Sequence, residues 1–341
     1  MTPTTQHAPA VVTFRRGGLP ESRHEVHLAV VDPAGRVLAA CGDPALVTFP
    51  RSASKPVQAL PLALAAPDLP PDELAIACAS HAGTPVHLAA VERLLARSGS
   101  TVADLRCGPH PPFDPQAAAD LIRRGAVPTP LHHNCSGKHA GMLLACVLHG
   151  WPREGYTEPG HLLQRRILEL HAELAGVPLA AIHAGTDGCS VPALALPLQG
   201  AARMFARLAA APQERNGPDA ALSRIFAAMT AHPDLVAGPG RLDTELMPLV
   251  PGLVAKMGAE AFYGLGLRDS AQGPVGTAFK VLDGGERARP YVALAVLEAL
   301  GVPPTPQLRA LAPQQQRNWA GRAVGEVAVK LPLHWAPPQS L

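Results

Sequence analysis

Residues 25–31 begin with polar–apolar alternation (Glu25-Val26-His27-Leu28) and run into an apolar stretch, which predicts a strand. Asp32-Pro33-Ala34-Gly35 has the composition of a four-residue turn, and residues 36–41 supply its antiparallel partner. An apolar stretch over 56–64 predicts a helix whose first turn holds Pro56, because proline has no N–H to give the helix interior. Over 84–98 the spacing is helical: Thr84 and Pro85 start it, Leu88, Val91, Leu94 and Leu95 share a face, and Gly99 ends it. Residues 115–124 predict a short helix, and 137–149 a helix stopped by Gly150. Residues 161–175, with Leu163, Ile167, Leu170 and Leu174 in register, and 218–231 predict amphipathic helices.

Residues 74–78 form a short apolar segment, and 181–189 a loop bearing Asp187-Gly188-Cys189. Residues 277–282 and 323–331 predict strands with a helix over 290–300 between them. The proline-rich tail beyond Leu331 predicts a loosely held terminus. Strands thus fall toward both chain ends and helices in the middle. The fold class expected is α/β in the α+β sense. An antiparallel sheet is built from about 21–50 and 250–332, with an inserted helical part over about 55–250. Internal repeats and low-complexity linkers are absent from the sequence, so 1–341 is expected to be a single catalytic domain.

Composition narrows the classes. Of 341 residues 47% are hydrophobic and 16% charged, which supports a large core, and a net charge of +2 gives no reason to expect nucleic acid or a membrane surface as partner. Residues 1–18 are polar and carry Arg15-Arg16, so no signal peptide is expected, and no apolar run is long enough for a spanning helix. The six cysteines have no short-spaced framework, which points to a reducing, cytoplasmic setting. The lysines are Lys55, Lys138, Lys256, Lys280 and Lys330 against a background of arginine. Each is informative, because a neutral amine is a role arginine cannot fill.

The densest chemistry lies in His132-His133-Asn134-Cys135-Ser136-Gly137-Lys138-His139-Ala140-Gly141-Met142, directly before the apolar run from Leu143. Reactive side chains at a helix start lie near unpartnered backbone N–H groups. Ser52-Ala53-Ser54-Lys55 is a Ser-x-x-Lys at another helix mouth. Residues three apart share a helical face, so the amine can reach the hydroxyl, and a neutral lysine can take a serine's proton. Ser80, in a second polar loop, and Lys256-Met257-Gly258, in a third, complete the motif order of penicillin-recognising serine hydrolases.

Five segments together resemble the asparaginase II family, the rhizobial-type or class 3 L-asparaginases. They are Pro50-Arg51-Ser52-Ala53-Ser54-Lys55-Pro56, Ala79-Ser80-His81, His133 through Met142, Gly185-Thr186-Asp187-Gly188-Cys189 and Lys256-Met257-Gly258-Ala259-Glu260. The resemblance implies a fold like the serine β-lactamases and glutaminases and hydrolysis of L-asparagine to L-aspartate and ammonia. It implies Ser52 with Lys55 and Ser80 with Lys256 as catalytic pairs, and zinc held by Cys135, Lys138 and Cys189. His139 and Asp187 would stand behind the metal, and Arg51 near the substrate; Arg51, Asn134, His139 and Asp187 form the expected substrate-binding set. A homodimer is expected. Thr84 stands where the family pattern has an acidic residue, and Ala261 where it has glycine.

Other readings stay open. Cys135 could be the nucleophile of a cysteine amidohydrolase, with His139 as base and the helix start lowering the thiol's pKa. The thiols could instead make a non-enzymatic zinc-binding protein, and without the resemblance the zinc ligands expected would be Cys135, His139 and Cys189. A β-lactam-recognising enzyme leaves the Cys-rich block without a use. His81 and His183 are expected to be polar loop residues, Lys280 a runner-up for the second catalytic lysine, and Lys330 solvated. Glu260 or Asp187 would face the substrate's ammonium group.

Overall fold

The computed structural model describes residues 7–212 and 217–337. The chain divides into two compact units, one of residues 1–50, 196–210 and 249–341, the other of 51–195 and 211–248.

The first unit is built on a curled antiparallel sheet. Its strands are β1 (Ala10–Arg16), β2 (Leu19–Val31), β3 (Val37–Cys41), β7 (Leu253–Met257), β8 (Phe262–Ser270), β9 (Gly273–Val281), β10 (Gln315–Arg317), β11 (Ala323–Lys330) and β12 (His334–Trp335). The numbers between belong to three short strands: β4 (Val47–Thr48), β5 (His183–Thr186) and β6 (Pro192–Pro197). The sheet runs β10-β11-β1-β2-β9-β8-β7, with β3 pairing both β2 and β12. The predicted turn forms: Asp32 Oδ1 accepts the N–H groups of Gly35 and Arg36, each at 2.9 Å. This side-chain cap is why the hairpin turns there.

Helix Leu198–Ala210 packs on this sheet through positions without side chains. A Cβ on Gly264 would sit 1.9 Å from the Phe205 ring, and one on Gly276 would sit 2.0 Å from the Ala202 carbonyl oxygen. The glycines let backbone approach backbone, and they also remove the alternation that would have announced β8 as a strand. β1 is likewise a strand within the segment read as a polar lead: Ala10, Val12 and Phe14 are buried, and β2 and β11 pair with it on its two sides. The short β12 pairs with Ala39 and Ala40, so the tail is held as far as Trp335.

The second unit is helical. Its helices include Lys55–Gln58, Leu60–Ala65, Pro71–Ala77, Pro85–Ser98, Ser136–Leu148, Leu162–Ala175 and Gly217–Ala231. The stretch expected as one helix from Pro56 is two, because Pro61 opens a second short helix. The apolar segment at 74–78 is the buried end of Pro71–Ala77. Ser136–Leu148 is buried on every side from Ser136 to Cys146, which a globular protein allows only for a central helix. Among the described residues, no helix is long and apolar enough to cross a membrane.

Candidate active site

The reactive residues of the helical unit lie on four backbone turns. Arg51–Ser54 is a 3-10 turn entering helix Lys55–Gln58. Ala79-Ser80-His81 follows Pro71–Ala77, Asn134-Cys135 precedes Ser136–Leu148, and Asp187-Gly188-Cys189 follows β5. Two glycines of the central motif fix how closely these turns approach. A Cβ on Gly137 would lie 2.3 Å from the carbonyl oxygen of Ile76, and one on Gly141 would lie 2.9 Å from Ala77 Cβ. The first turn of the central helix therefore rests on the backbone that leads to Ser80. His81 N–H then donates to the Asn134 carbonyl at 3.2 Å, tying the two turns together.

Lys55 is buried at 1% exposure. Its Nζ donates to the Ala79 carbonyl at 2.6 Å and to Ser80 Oγ at 3.0 Å. The 52–55 spacing does not produce a direct bond: Ser52 lies in a 3-10 turn, and the Lys55 amine is directed to the Ala79 and Ser80 oxygens instead. Among the described residues the Ser52 hydroxyl makes no hydrogen bond to Lys55. Arg51, immediately before it, has φ of +53°, the left-handed region that costs a side-chain-bearing residue roughly 1–2 kcal/mol. The guanidinium of Arg51 closes on Asp187 Oδ1 at 2.6 Å through Nη2 and 3.1 Å through Nε. Burial works against the charge on Asp187, but Lys138, Arg51 and the Gly188 N–H together hold its carboxyl below the usual range.

Cys135, Lys138, His139 and Cys189 form the second cluster, and all are buried. Lys138 Nζ donates to Cys189 Sγ at 2.9 Å. A hydrogen bond from Cys189 lowers the Cys135 thiol well below its ordinary value, against the opposing effect of burial and with help from Lys55 and Lys138. Cys189, the donor, is raised correspondingly. Burial opposes the charge on Lys138, but the two sulfurs raise it. Cys107 is pushed up to about 12 by burial, and its thiol donates to the Pro130 carbonyl at 3.5 Å. His133 Nδ1 accepts the Cys135 N–H at 2.9 Å, and the Asn134 side chain accepts from the Cys135 thiol at 3.7 Å.

Two sulfurs and one amine are a nitrogen–sulfur donor set of the kind zinc takes, and the buried His139 Nε2 beside them makes no hydrogen bond of standard geometry. The donors fit a zinc ion in kind only if Lys138 is counted. Among the described residues, no group of three or more His, Cys, Asp or Glu side chains could hold a metal.

Lys256 lies in the sheet unit. It is fully buried on β7 opposite Gly264, with Nζ 3.2 Å from the Met257 carbonyl. A Cβ on Gly258 would meet the carbonyl oxygen of Pro50 at 2.2 Å, which is why glycine stands in Lys256-Met257-Gly258. Glu260 and Ala261 follow with φ of +56° and +53°. That explains why glycine is expected at 261. Thr84 caps helix Pro85–Ser98 in a capping box with His87, a structural use for the other departure. His183 is exposed on β5, and Lys330 is exposed on β11. Lys280 hydrogen-bonds the Val281 carbonyl.

Two further buried polar residues join the motifs: Tyr156, which sequence reasoning did not single out, and His81, expected as a polar loop residue. Tyr156 is 1% exposed, and its hydroxyl meets His139 Nδ1 at 2.7 Å. It lies among turn residues with no apolar periodicity, so no pattern announces it. His81 Nε2 meets Ser136 Oγ at 2.9 Å, linking two of the motifs.

The L-asparaginase II family model matches residues 12–329. No curated protein matches. Among solved structures, a chain described as Mglu aligns with a TM-score of 0.44 and 17% identity, over 81% of this chain and 67% of that one. Mglu in its tris and glutamate form gives 0.44 and 17%, over 81% and 59%. Mglu in its native form gives 0.42 and 18%, over 80% and 64%. The family match spans nearly the whole chain and takes in every motif described above: the chain belongs to the L-asparaginase II family and is an L-asparaginase.

Proposed function

We propose that the chain hydrolyses the side-chain amide of L-asparagine through a serine acyl-enzyme, with Ser52 as nucleophile and Lys55 as its base. The observation that carries this reading is the Lys55 Nζ to Ser80 Oγ bond of 3.0 Å in a fully buried setting. One amine thereby joins the Ser-x-x-Lys motif to the second serine, as a proton path between two hydroxyls requires. Ser52, three residues from Lys55 and behind a strained Arg51, is the hydroxyl not already committed to that amine. Its oxygen attacks the amide carbon, its proton passes to Lys55, and the amide nitrogen leaves as ammonia after taking a proton. Water then attacks the ester and releases aspartate. Backbone N–H groups at the helix start are suited to the oxyanion, usually a large share of such catalysis.

In this reading Ser80 with Lys256 handles the proton of the departing ammonia. Arg51 and Asn134 hold the substrate's carboxylate end, and Asp187 its ammonium group with His139 nearby. Cys135, Lys138 and Cys189 would hold zinc, whose charge would polarise a substrate oxygen when the ion is bound. Lys138 must then surrender its proton, since an ammonium cannot ligate. The β-lactamase- and glutaminase-like fold, the action of both units as one catalytic domain, the homodimer and the cytoplasmic setting belong to the same proposal. The same Lys55–Ser80 bond also admits a second reading, in which Ser80 is the nucleophile and Lys55 its base.

Ammonia release from asparagine tests these readings. Ser52→Ala is expected to lose about 10⁴-fold or more in kcat, the scale on which serine hydrolases fall when the nucleophile is removed. Cys135→Ala should retain turnover. Full activity in Ser52→Ala alongside loss in Ser80→Ala transfers the nucleophile to Ser80. Loss in Cys135→Ala alone returns the chemistry to the thiol.

A further inference from the structure

The hydroxyl of Tyr156 has an accountable set of hydrogens. The Arg106 backbone N–H reaches it at 3.0 Å, and a backbone amide only donates, so the oxygen accepts there. The single phenolic hydrogen must then go elsewhere. The other partner is His139 Nδ1 at 2.7 Å. Tyr156 is buried, and among the described residues its hydroxyl meets no other acceptor. Nδ1 therefore accepts, and the proton of the neutral imidazole resides on Nε2. The buried Nε2 faces the site without a hydrogen-bond partner of standard geometry among the described residues. Gln164 Nε2 donates to the Tyr156 carbonyl at 2.7 Å and so holds the residue that holds the histidine.

We infer that Tyr156 is a positioning residue: it locks His139 in the Nε2–H tautomer, so that the ring presents an N–H and not a lone pair to the site. This rests on the reading of Cys135, Lys138 and Cys189 as a support beside a hydrolytic serine. It has two consequences for the site. With Nδ1 occupied and Nε2 protonated, His139 has no lone pair with which to take a proton from Cys135, and none with which to ligate a metal. Its part is to offer an N–H beside the thiols, as groups behind a coordination sphere do.

The test is the ¹⁵N spectrum of the ring nitrogens in histidine-labelled full-length protein, with His139 assigned by its loss in His139→Gln. In the parent, His139 should show an unprotonated Nδ1 and a protonated Nε2. In Tyr156→Phe, folded by circular dichroism, that pattern should give way to a mixture of tautomers, with asparaginase activity lowered about 10-fold or more. His139→Gln, whose amide nitrogen stands in for the Nε2 donor, should keep more activity than His139→Leu. A protonated Nδ1 in the parent, or a tautomer unchanged in Tyr156→Phe, would overturn the assignment. Because the spectrum is read without turnover, Ser52→Ala separates the two claims. That variant should keep the His139 pattern whether or not it keeps activity.

Discussion

Gly137 offers a test of why the central motif contains glycine at all. In Gly137→Ala the new Cβ would lie 2.3 Å from the Ile76 carbonyl oxygen, 2.8 Å from Ile76 Cγ1 and 3.0 Å from Ile76 C. Ordinary contact begins at 3.4 Å, so something must move by about 1 Å. Neither side yields easily. The Ile76 carbonyl also accepts the Ala79 N–H at 3.2 Å, and Gly137 lies in the first turn of a helix buried on all faces. Overpacking of this kind costs about 1–3 kcal/mol.

The displacement falls between Lys138 and the turn bearing Ser80, and a misplacement near 1 Å lowers turnover by about 100-fold. Thermal unfolding and ammonia release from asparagine, measured on the same samples, check both effects. Gly141→Ala is the graded control. Its Cβ would meet Ala77 Cβ, a side chain, at 2.9 Å, so its losses should be smaller. Parent-like stability and turnover in Gly137→Ala would refute the packing argument.

Three further outcomes are expected. Ala261→Gly relieves a left-handed residue at φ +53° and should stabilise the protein by about 1 kcal/mol, read as a raised urea midpoint. His171 is fully buried with Nδ1 on the Ile167 carbonyl at 2.8 Å, and burial lowers its pKa to about 4. The unfolded chain takes a proton below about pH 6.5 and the folded one does not, so stability falls as pH drops from there toward 4. From pH 7 to 5 the loss is about 2 kcal/mol, and urea midpoints of His171→Leu should lack that increment. Finally, zinc measured in the purified protein should be lost in Cys135→Ala and Cys189→Ala but retained in Cys107→Ala, whose thiol stays protonated at a pKa of about 12.

The elements legible in the sequence were those whose burial is one-sided. Helix Pro85–Ser98 shows its buried face as Val91, Leu94 and Leu95, and β2 ends in an apolar run because its last residues are buried. The elements missed are those whose packing erases the pattern. β8 needs Gly264 and Gly266 under helix Leu198–Ala210, and β5 is exposed at all its positions. The site divides the same way. Lys55, Cys135 and Lys138 stand out because reactive side chains are rare in apolar surroundings. The Lys55–Ser80 contact was not legible, since the two residues are 25 apart in sequence and meet only through the fold. Tyr156 acts on His139 from a separate loop, and no local spacing relates them.

Trapping the acyl-enzyme tests the central claim most directly. Rapid acid quench of the protein turning over L-asparagine, followed by proteolysis and mass mapping, locates the aspartyl ester. The serine mechanism proposed here predicts the ester on Ser52, in the peptide that also contains Lys55, and none in Ser52→Ala. An aspartyl group found on Ser80 or as a thioester on Cys135 would contradict it.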